Sequence, residues 1–549
     1  MALLKTLKDL WYSILNSCVT IEPIREQLGD SKKVALAIIF LTNMLDNLLL
    51  TSVVPIIPAF LLTLDKEDFY STASNSTSSH RPLLSPHEKQ VLLTMNDESF
   101  KSHKSHAMWA NITGAGPNWT SSHHHGRFHL SAAAFSENGR VGWLLSSKAI
   151  VQLFANCLVG PLCNKFGYPI FLFSGTVILL MSSIVFAIAE SYVPLFIARA
   201  IQGLGSAAAV ISGMSIVANR FPEDKSRSRA MGIALGGAAL GILIGYPFGG
   251  IIYSFIGKTV VFLVLGGFIF IDLGLQWFVF GLNVHIETYS KVTPVYVLLR
   301  DKHILIATGV ICLTTMSMSV LEPTVPLWAM SFMKVKNWEL GFNLIREWEM
   351  GEKNHVQTID QTARQRLIFL PDSIGYFIGT NCFGEVSQRI GRWYCCVFCI
   401  LLIALCQICL PFATSIPQLI LPHFGLGLGL GITDAAIMPL LALLVDVKNE
   451  SFYGCVYAVA QLAVCLAYSV GPFAAGMIIK EVGFPWLMRG MAILNILFSP
   501  LCFILSKAPI SLDEDKPLTK SDIDNKYYTQ EKEIDEACFK YGHLIEDDD

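Results

Sequence analysis

The chain has 549 residues, of which 53% are hydrophobic and only 15% charged, with a formal net charge of −3. That composition excludes a soluble globule and leaves no basic footprint for nucleic acid; it predicts an all-α, polytopic membrane protein.

Twelve apolar segments are long enough to span, at about 34–64, 140–160, 168–189, 192–219, 230–255, 259–281, 303–332, 367–387, 393–413, 416–446, 452–480 and 483–506. They fall into two sets of six, 34–281 and 303–506, joined by a linker at 282–302. A mixed N-terminal stretch, 1–33, precedes them, without the pattern of a cleavable signal peptide, and an acidic tail, 507–549, follows. Lysines and arginines gather in the loops after even-numbered spans (Lys165, Arg220, Lys225, Arg227, Arg229, Arg300, Lys302, Arg389, Arg392, Lys448), which predicts cytosolic termini. The long first loop, 65–139, is then lumenal; it carries sequons at Asn75, Asn111 and Asn118, whereas the sequon at Asn449 falls on the cytosolic side. Fourteen cysteines lie almost wholly in or beside spans and predict no disulfide framework, and neither Cys395-Cys396-x-x-Cys399 nor His123-His124-His125 is read as a metal site.

Asp46 interrupts the first span. A carboxylate near a bilayer centre costs about 2.5–3.5 kcal/mol even on insertion scales, so such residues mark function by default. Lys148, Arg199, Glu322, Asp434 and Asp446 also interrupt or flank apolar runs, and together they predict a polar path through the membrane.

A repeat links the two sets of six. Gly160-x4-Lys165-x-Gly167 follows the second span and Gly384-x4-Arg389-x-Gly391 the eighth. Two glycines in each copy are expected to allow a tight turn, and the cation to clamp a neighbouring helix end. Arg199-Ala-Ile-Gln202-Gly203-Leu-Gly205 sets a cation among small residues, and Gly241-x3-Gly245-Tyr246-Pro247-x-Gly249 supplies a bendable, closely packed fifth span. The paired halves resemble the major facilitator fold, whose substrate site lies at the midplane between them. The last two runs resemble signatures of proton-coupled facilitators, except that Tyr246 stands where the antiporter motif has proline.

Further along, the chain resembles the vesicular amine transporters, and most of all those for monoamines. The matching residues are Leu45-Asp46-Asn47, Val53 to Pro58, Ser147-Lys148-Ala149, Ala198-Arg199, Met231 to Gly237, Leu321-Glu322-Pro323, Gly379-Thr-Asn381, Asp434 with Met438-Pro439, Leu444-Val-Asp446, Tyr453-Gly454 and Gly483 to Met488. The resemblance implies a functional monomer in a secretory or synaptic vesicle membrane that exchanges protons for small cationic amines, with no cofactor, no metal and no enzymatic activity. It implies substrate contacts from Asp46, Asn47, Glu322, Tyr376, Tyr468 and Thr315. It further implies a charge network of Lys148, Arg199, Asp434, Asp446 and the position of Gln461, with Asp434 as the proton carrier.

Four departures stand out. Gln461 replaces an embedded aspartate, so Lys148 is expected to pair with Asp46; Thr315 replaces a cavity asparagine; the expected lumenal disulfide has no cysteines; and 343–366 is an insertion. Acetylcholine or drug cations as cargo, and an amine-binding sensor that no longer transports, remain open alternatives.

Overall fold

The computed structural model describes residues 31–76, 132–280, 295–332, 369–447 and 453–507. These form twelve long helices: α1 (Lys32–Ser76), α2 (Ala132–Phe166), α3 (Tyr168–Ile188), α4 (Tyr192–Arg220), α5 (Asp224–Phe255), α6 (Lys258–Phe280), α7 (Lys302–Phe332), α8 (Leu370–Ile390), α9 (Arg392–Cys409), α10 (Ile416–Asp446), α11 (Tyr453–Val482) and α12 (Phe484–Phe498), the last continuing as 3-10 turns over Ser499–Lys507. A single turn, Val295–Leu298, precedes α7, and no strand occurs among the described residues.

Eleven of the helices contain stretches long and apolar enough to cross a membrane. The exception is α8, whose 21 residues include Asp372, Glu385 and Arg389. In lipid every backbone polar group must be satisfied within its own segment, which is why such sequences fold as helices throughout. The chain is a multi-pass membrane protein.

Helix pairing repeats between the halves. The partners α1–α5, α2–α4, α3–α4 and α3–α6 in the first six recur as α7–α11, α8–α10, α9–α10 and α9–α12 in the second. Between halves, α2 packs on α11 and α5 on α8, two contacts that the same six-helix shift exchanges.

The α1–α5 pair is the tightest in the first half because a stripe of small residues lets backbones touch. A Cβ on Gly237 would fall 2.3 Å from the Phe40 carbonyl oxygen, on Gly241 2.2 Å from that of Met44, and on Gly245 1.8 Å from Thr51 Oγ1. Ser52 donates to the Gly245 carbonyl at 3.3 Å and Asn43 to that of Ala234 at 3.1 Å.

Three sequence expectations are corrected here. The first loop is shorter than 65–139, because α1 runs to Ser76 and α2 begins at Ala132; residues 65–76 contain no glycine or proline to stop the helix. Only the second glycine of each repeat makes a turn: Gly167 and Gly391 have φ of 93° and 107°. Gly160 and Gly384 lie inside helices, where a Cβ would fall 2.6 Å from Ala458 Cβ on α11 and 2.7 Å from the Ser228 carbonyl on α5. Among the described residues the repeat's cations also clamp no helix end: Lys165 lies over Phe166 and Arg389 pairs with Glu385 one turn back on its own helix. The residue before each cation makes the link instead. Asn164 accepts the Gly454 backbone N–H at the start of α11, and Gln388 donates to Asp224 in the first turn of α5.

Candidate functional site

On α1, Thr42, Asn43, Asp46 and Thr51 are all buried and serve different neighbours: Thr42 donates to Asp272 on α6, Asn43 and Thr51 to carbonyls of α5, and Asp46 faces α2 and α4. Asp46 is 3% exposed. Lys148 Nζ on α2 sits 3.7 Å from its carboxylate, and the Ser206 hydroxyl on α4 donates to the same group. Removing one partner of such a buried pair strands the other charge, so the two ions hold each other in place.

Arg199 on α4 is equally buried. It donates to Gln202 Oε1 at 2.8 Å and to the Leu50 carbonyl at 3.4 Å, while its Nε meets no protein acceptor. Its positive charge interacts with both Glu322 on α7 and Asp46 on α1. Arg199 thus lies within electrostatic reach of a carboxylate from each half, while its hydrogen bonds go to Gln202 and Leu50.

The second half contributes tyrosine–carboxylate pairs. Tyr376 on α8 donates to Asp434 on α10 at 2.9 Å, and Tyr246 on α5 donates across the halves to Glu322 at 2.9 Å. Tyr468 on α11 neighbours Glu322, Asp372 and Asp434 electrostatically, and Asp372 on α8 neighbours Glu322. Asp434, the proton carrier that the resemblance implies, is thus partnered by the Tyr376 hydroxyl. Asp46, Glu322, Asp372 and Asp434 face two cations, Lys148 and Arg199, in this constellation. That excess of carboxylate is the chemistry of a site for a cation or for protons.

The remaining candidates lie apart from these groups or on their flanks. Asn47 turns its amide back to the Asn43 carbonyl at 2.9 Å and packs against Gly241. Thr315 is buried on α7, two turns from Glu322, about 10 Å along the helix. Gln461 is half-buried on α11, two turns before Tyr468 on the same face. Asp446 belongs to a different cluster, about 18 Å along α10 from Asp434. There it accepts from Arg227 at 2.6 Å and from Tyr453 at 2.6 Å, tying α5 to α10 and α11 at the basic end of the bundle. The same end carries Arg392 against Asp224 at 2.6 Å, and Arg229 and Lys225 against Glu385. Of the motif residues, Gly241, Gly245 and Gly249 press on α1, and Pro247 lies inside α5. Asn75 falls at the end of α1, whereas Asn111, Asn118 and the insertion 343–366 lie outside the described residues.

Sequence reading passed over several groups. Asp272 is fully buried on α6, where Thr42 and Gln276 donate to it at 2.9 and 2.8 Å. It interrupts an apolar run just as Asp46 does, as does Asp372, so the same criterion finds both. Ser206 carried no comparable signal, and Tyr246 stood out only as a departure from the motif, not as a partner of Glu322. Among the described residues no group of three or more His, Cys, Asp or Glu could hold a metal ion. Cys395 and Cys399 pack with Ile432 and Ala436 as ordinary core.

A two-half helical bundle with a buried, charge-rich seam defines a membrane transporter class, and the comparisons agree. The sequence profile of the Major Facilitator Superfamily matches residues 36–345 and 367–532. The crystal structure of the human organic anion transporter MFSD10 (TETRAN) shares the fold, with a TM-score of 0.59 at 15% identity, covering 86% of this chain and 99% of that one. The synaptic vesicular amine transporter of Rattus norvegicus is 38% identical over 520 residues, 91% of this chain and 93% of the relative. The human chromaffin granule amine transporter is 37% identical, over 87% of this chain and 88% of the relative. The vesicular acetylcholine transporter of Tetronarce californica is 31% identical, over 86% and 81%. The chain belongs to the vesicular amine transporter family of the major facilitators.

Proposed function

We propose that this protein is a proton-coupled antiporter that moves cytosolic monoamines into acidic secretory or synaptic vesicles by alternating access. The observation that carries the reading is the charge set at the seam: one carboxylate from each half, the buried Asp46 and the half-buried Glu322, with the buried Arg199 within electrostatic reach of both. A protonated amine that pairs with either carboxylate shifts the balance of charge between the halves. Binding is thereby linked to the relative position of the halves. Asp434 and Tyr376 form the proton-handling pair: in an acidic lumen the carboxylate takes up a proton, and on the cytosolic side it gives the proton back. No cofactor beyond the proton gradient enters this cycle, and the monomer suffices because both halves lie in one chain.

The relatives' names favour a monoamine over acetylcholine, since the amine transporters are the more similar. Proteoliposomes acidified inside and containing the full chain test the reading. They are expected to accumulate labelled serotonin or dopamine and to lose it when the pH gradient is collapsed. Retained amine binding without uptake supports a sensor, and preferential uptake of acetylcholine supports the other cargo.

A further inference from the structure

At position 246 this chain carries a hydrogen-bond donor where the antiporter motif it resembles has proline, and that donor spans the seam. Tyr246 Oη donates to Glu322 Oε1 at 2.9 Å, and its ring stacks on Phe369 at the start of α8 with centroids 5.9 Å apart and planes 21° apart. The residue is rigidly placed. Gly245 presses on Thr51 of α1, so α5 cannot shift at this point without moving α1 as well.

The groups facing Glu322 are few. Arg199 comes from α4, Asp372 from α8 and Tyr468 from α11. Asp434 on α10 follows behind Tyr468, and His423 on α10 lies beyond Phe369, with ring centroids 6.2 Å apart. On α7 itself Lys302 and His303 sit at the far end, and Arg489 on α12 stacks on Trp486. Arg199 is shared with Asp46, while Asp372 is a like charge. The phenol is thus the group that fixes the Glu322 carboxylate in place without adding a competing cation. A lysine or arginine there would have to be expelled before an ammonium could bind; a neutral O–H donor can stay.

We infer that Tyr246 is a positioning residue for the substrate: its hydroxyl orients the Glu322 carboxylate for the ammonium of an arylalkylamine, and its ring, with Phe369, forms an aromatic wall for the aryl group. This rests on the amine-transport reading of the same site. A hydrogen bond to a charged acceptor is among the stronger ones, so its loss registers in affinity.

The test is the Tyr246→Phe variant, which keeps the ring on Phe369 and removes only the hydroxyl. Initial rates of labelled dopamine uptake are measured across external pH in proteoliposomes of the full chain. Without the O–H the carboxylate loses the donor that orients it. KM is therefore expected to rise roughly tenfold, the loss of one charge-assisted hydrogen bond, with maximal rate and unfolding temperature kept. Tyr246→Pro, which also lacks the donor, is expected to show the same rise. Superimposable wild-type and Tyr246→Phe profiles overturn the inference, as does a variant that loses only maximal rate or stability. If the wild type accumulates no amine, the transport reading fails on its own, and dopamine binding to the detergent-solubilised chain decides. There the variant's tenfold weakening supports the role of Tyr246; equal binding, or none by the wild type, overturns it.

Discussion

Asn164 on α2 accepts the backbone N–H of Gly454, the second residue of α11, at 3.0 Å, so a side chain of one half caps a helix of the other. Gln388 on α8 repeats the arrangement at the start of α5, through Asp224. Loss of a capping acceptor costs about 1 kcal/mol, roughly a fivefold change in an equilibrium. Asn164→Ala is expected to reduce the population with the basic ends together by about that factor. Spin labels on exposed Lys165 and Arg389 report it as a shift of the interlabel distance distribution to longer values; an unchanged distribution refutes the assignment.

Arg227 and Asp446 form the most enclosed charged contact at this end, with side chains 2% and 20% exposed. Arg227→Met or Asp446→Leu alone is expected to lower stability by about 2–3 kcal/mol, because each strands a charge or its hydrogen-bond partners. The double variant is expected to recover part of that loss, since an apolar pair leaves no orphan. Thermal unfolding in detergent measures all three, and strictly additive losses contradict the coupling.

Neutralising either seam carboxylate removes half of the proposed ammonium site. Asp46→Asn and Glu322→Gln are each expected to cut gradient-driven serotonin uptake at least about a hundredfold, a loss typical of a buried charge-assisted contact; Asp46→Asn is also expected to lower the unfolding temperature, because it leaves the buried Lys148 without its carboxylate. Uptake surviving in the double variant defeats the proposed mechanism.

Gln461 lies on α11 one turn before Cys465, which in turn neighbours Lys148. Gln461→Asp gives Lys148 a second carboxylate and the seam another titrating group. The logarithm of the steady-state amine accumulation ratio is expected to rise more steeply with the pH gradient in this variant. Parallel slopes show that position 461 does not enter coupling.

A Cβ added at Gly245 would fall 1.8 Å from Thr51 Oγ1, the distance of a clash. Gly245→Ala is expected to cost about 1–3 kcal/mol by overpacking, and Thr51→Ala in the same chain to restore much of it, because the obstructing atom is then gone. Unfolding midpoints of the two single variants and the double provide the check.

Much of the architecture was legible because lipid makes hydropathy a direct record of helices: α3 to α6 start and stop within a few residues of the apolar runs, apart from an earlier start to α5. The stretch 65–76 was misjudged for the complementary reason, since polarity marks exit from the membrane but does not end a helix. Asp46, Arg199 and Glu322 were visible as charges in apolar runs. Their partners were harder to see, because a serine such as Ser206 or a tyrosine such as Tyr376 is unremarkable in a span and acquires meaning only when a neighbouring helix brings a carboxylate to it. The repeat motifs showed that the halves match, but not which residue ties them. Asn164 and Gln388 look like filler between the glycine and the cation until α11 and α5 are placed beside them.

The fastenings at the basic end include an equivalent pair, Asn164 with the Gly454 N–H between α2 and α11, and Gln388 with Asp224 between α8 and α5. They sit at the two contacts that the six-helix repeat interchanges, so a fluctuation that frees one leaves its counterpart engaged. Spontaneous parting there requires both at once, and the odds multiply. A carrier that packs a compartment against a steep concentration difference is limited less by how fast it fills than by how seldom it lets the contents slip back out.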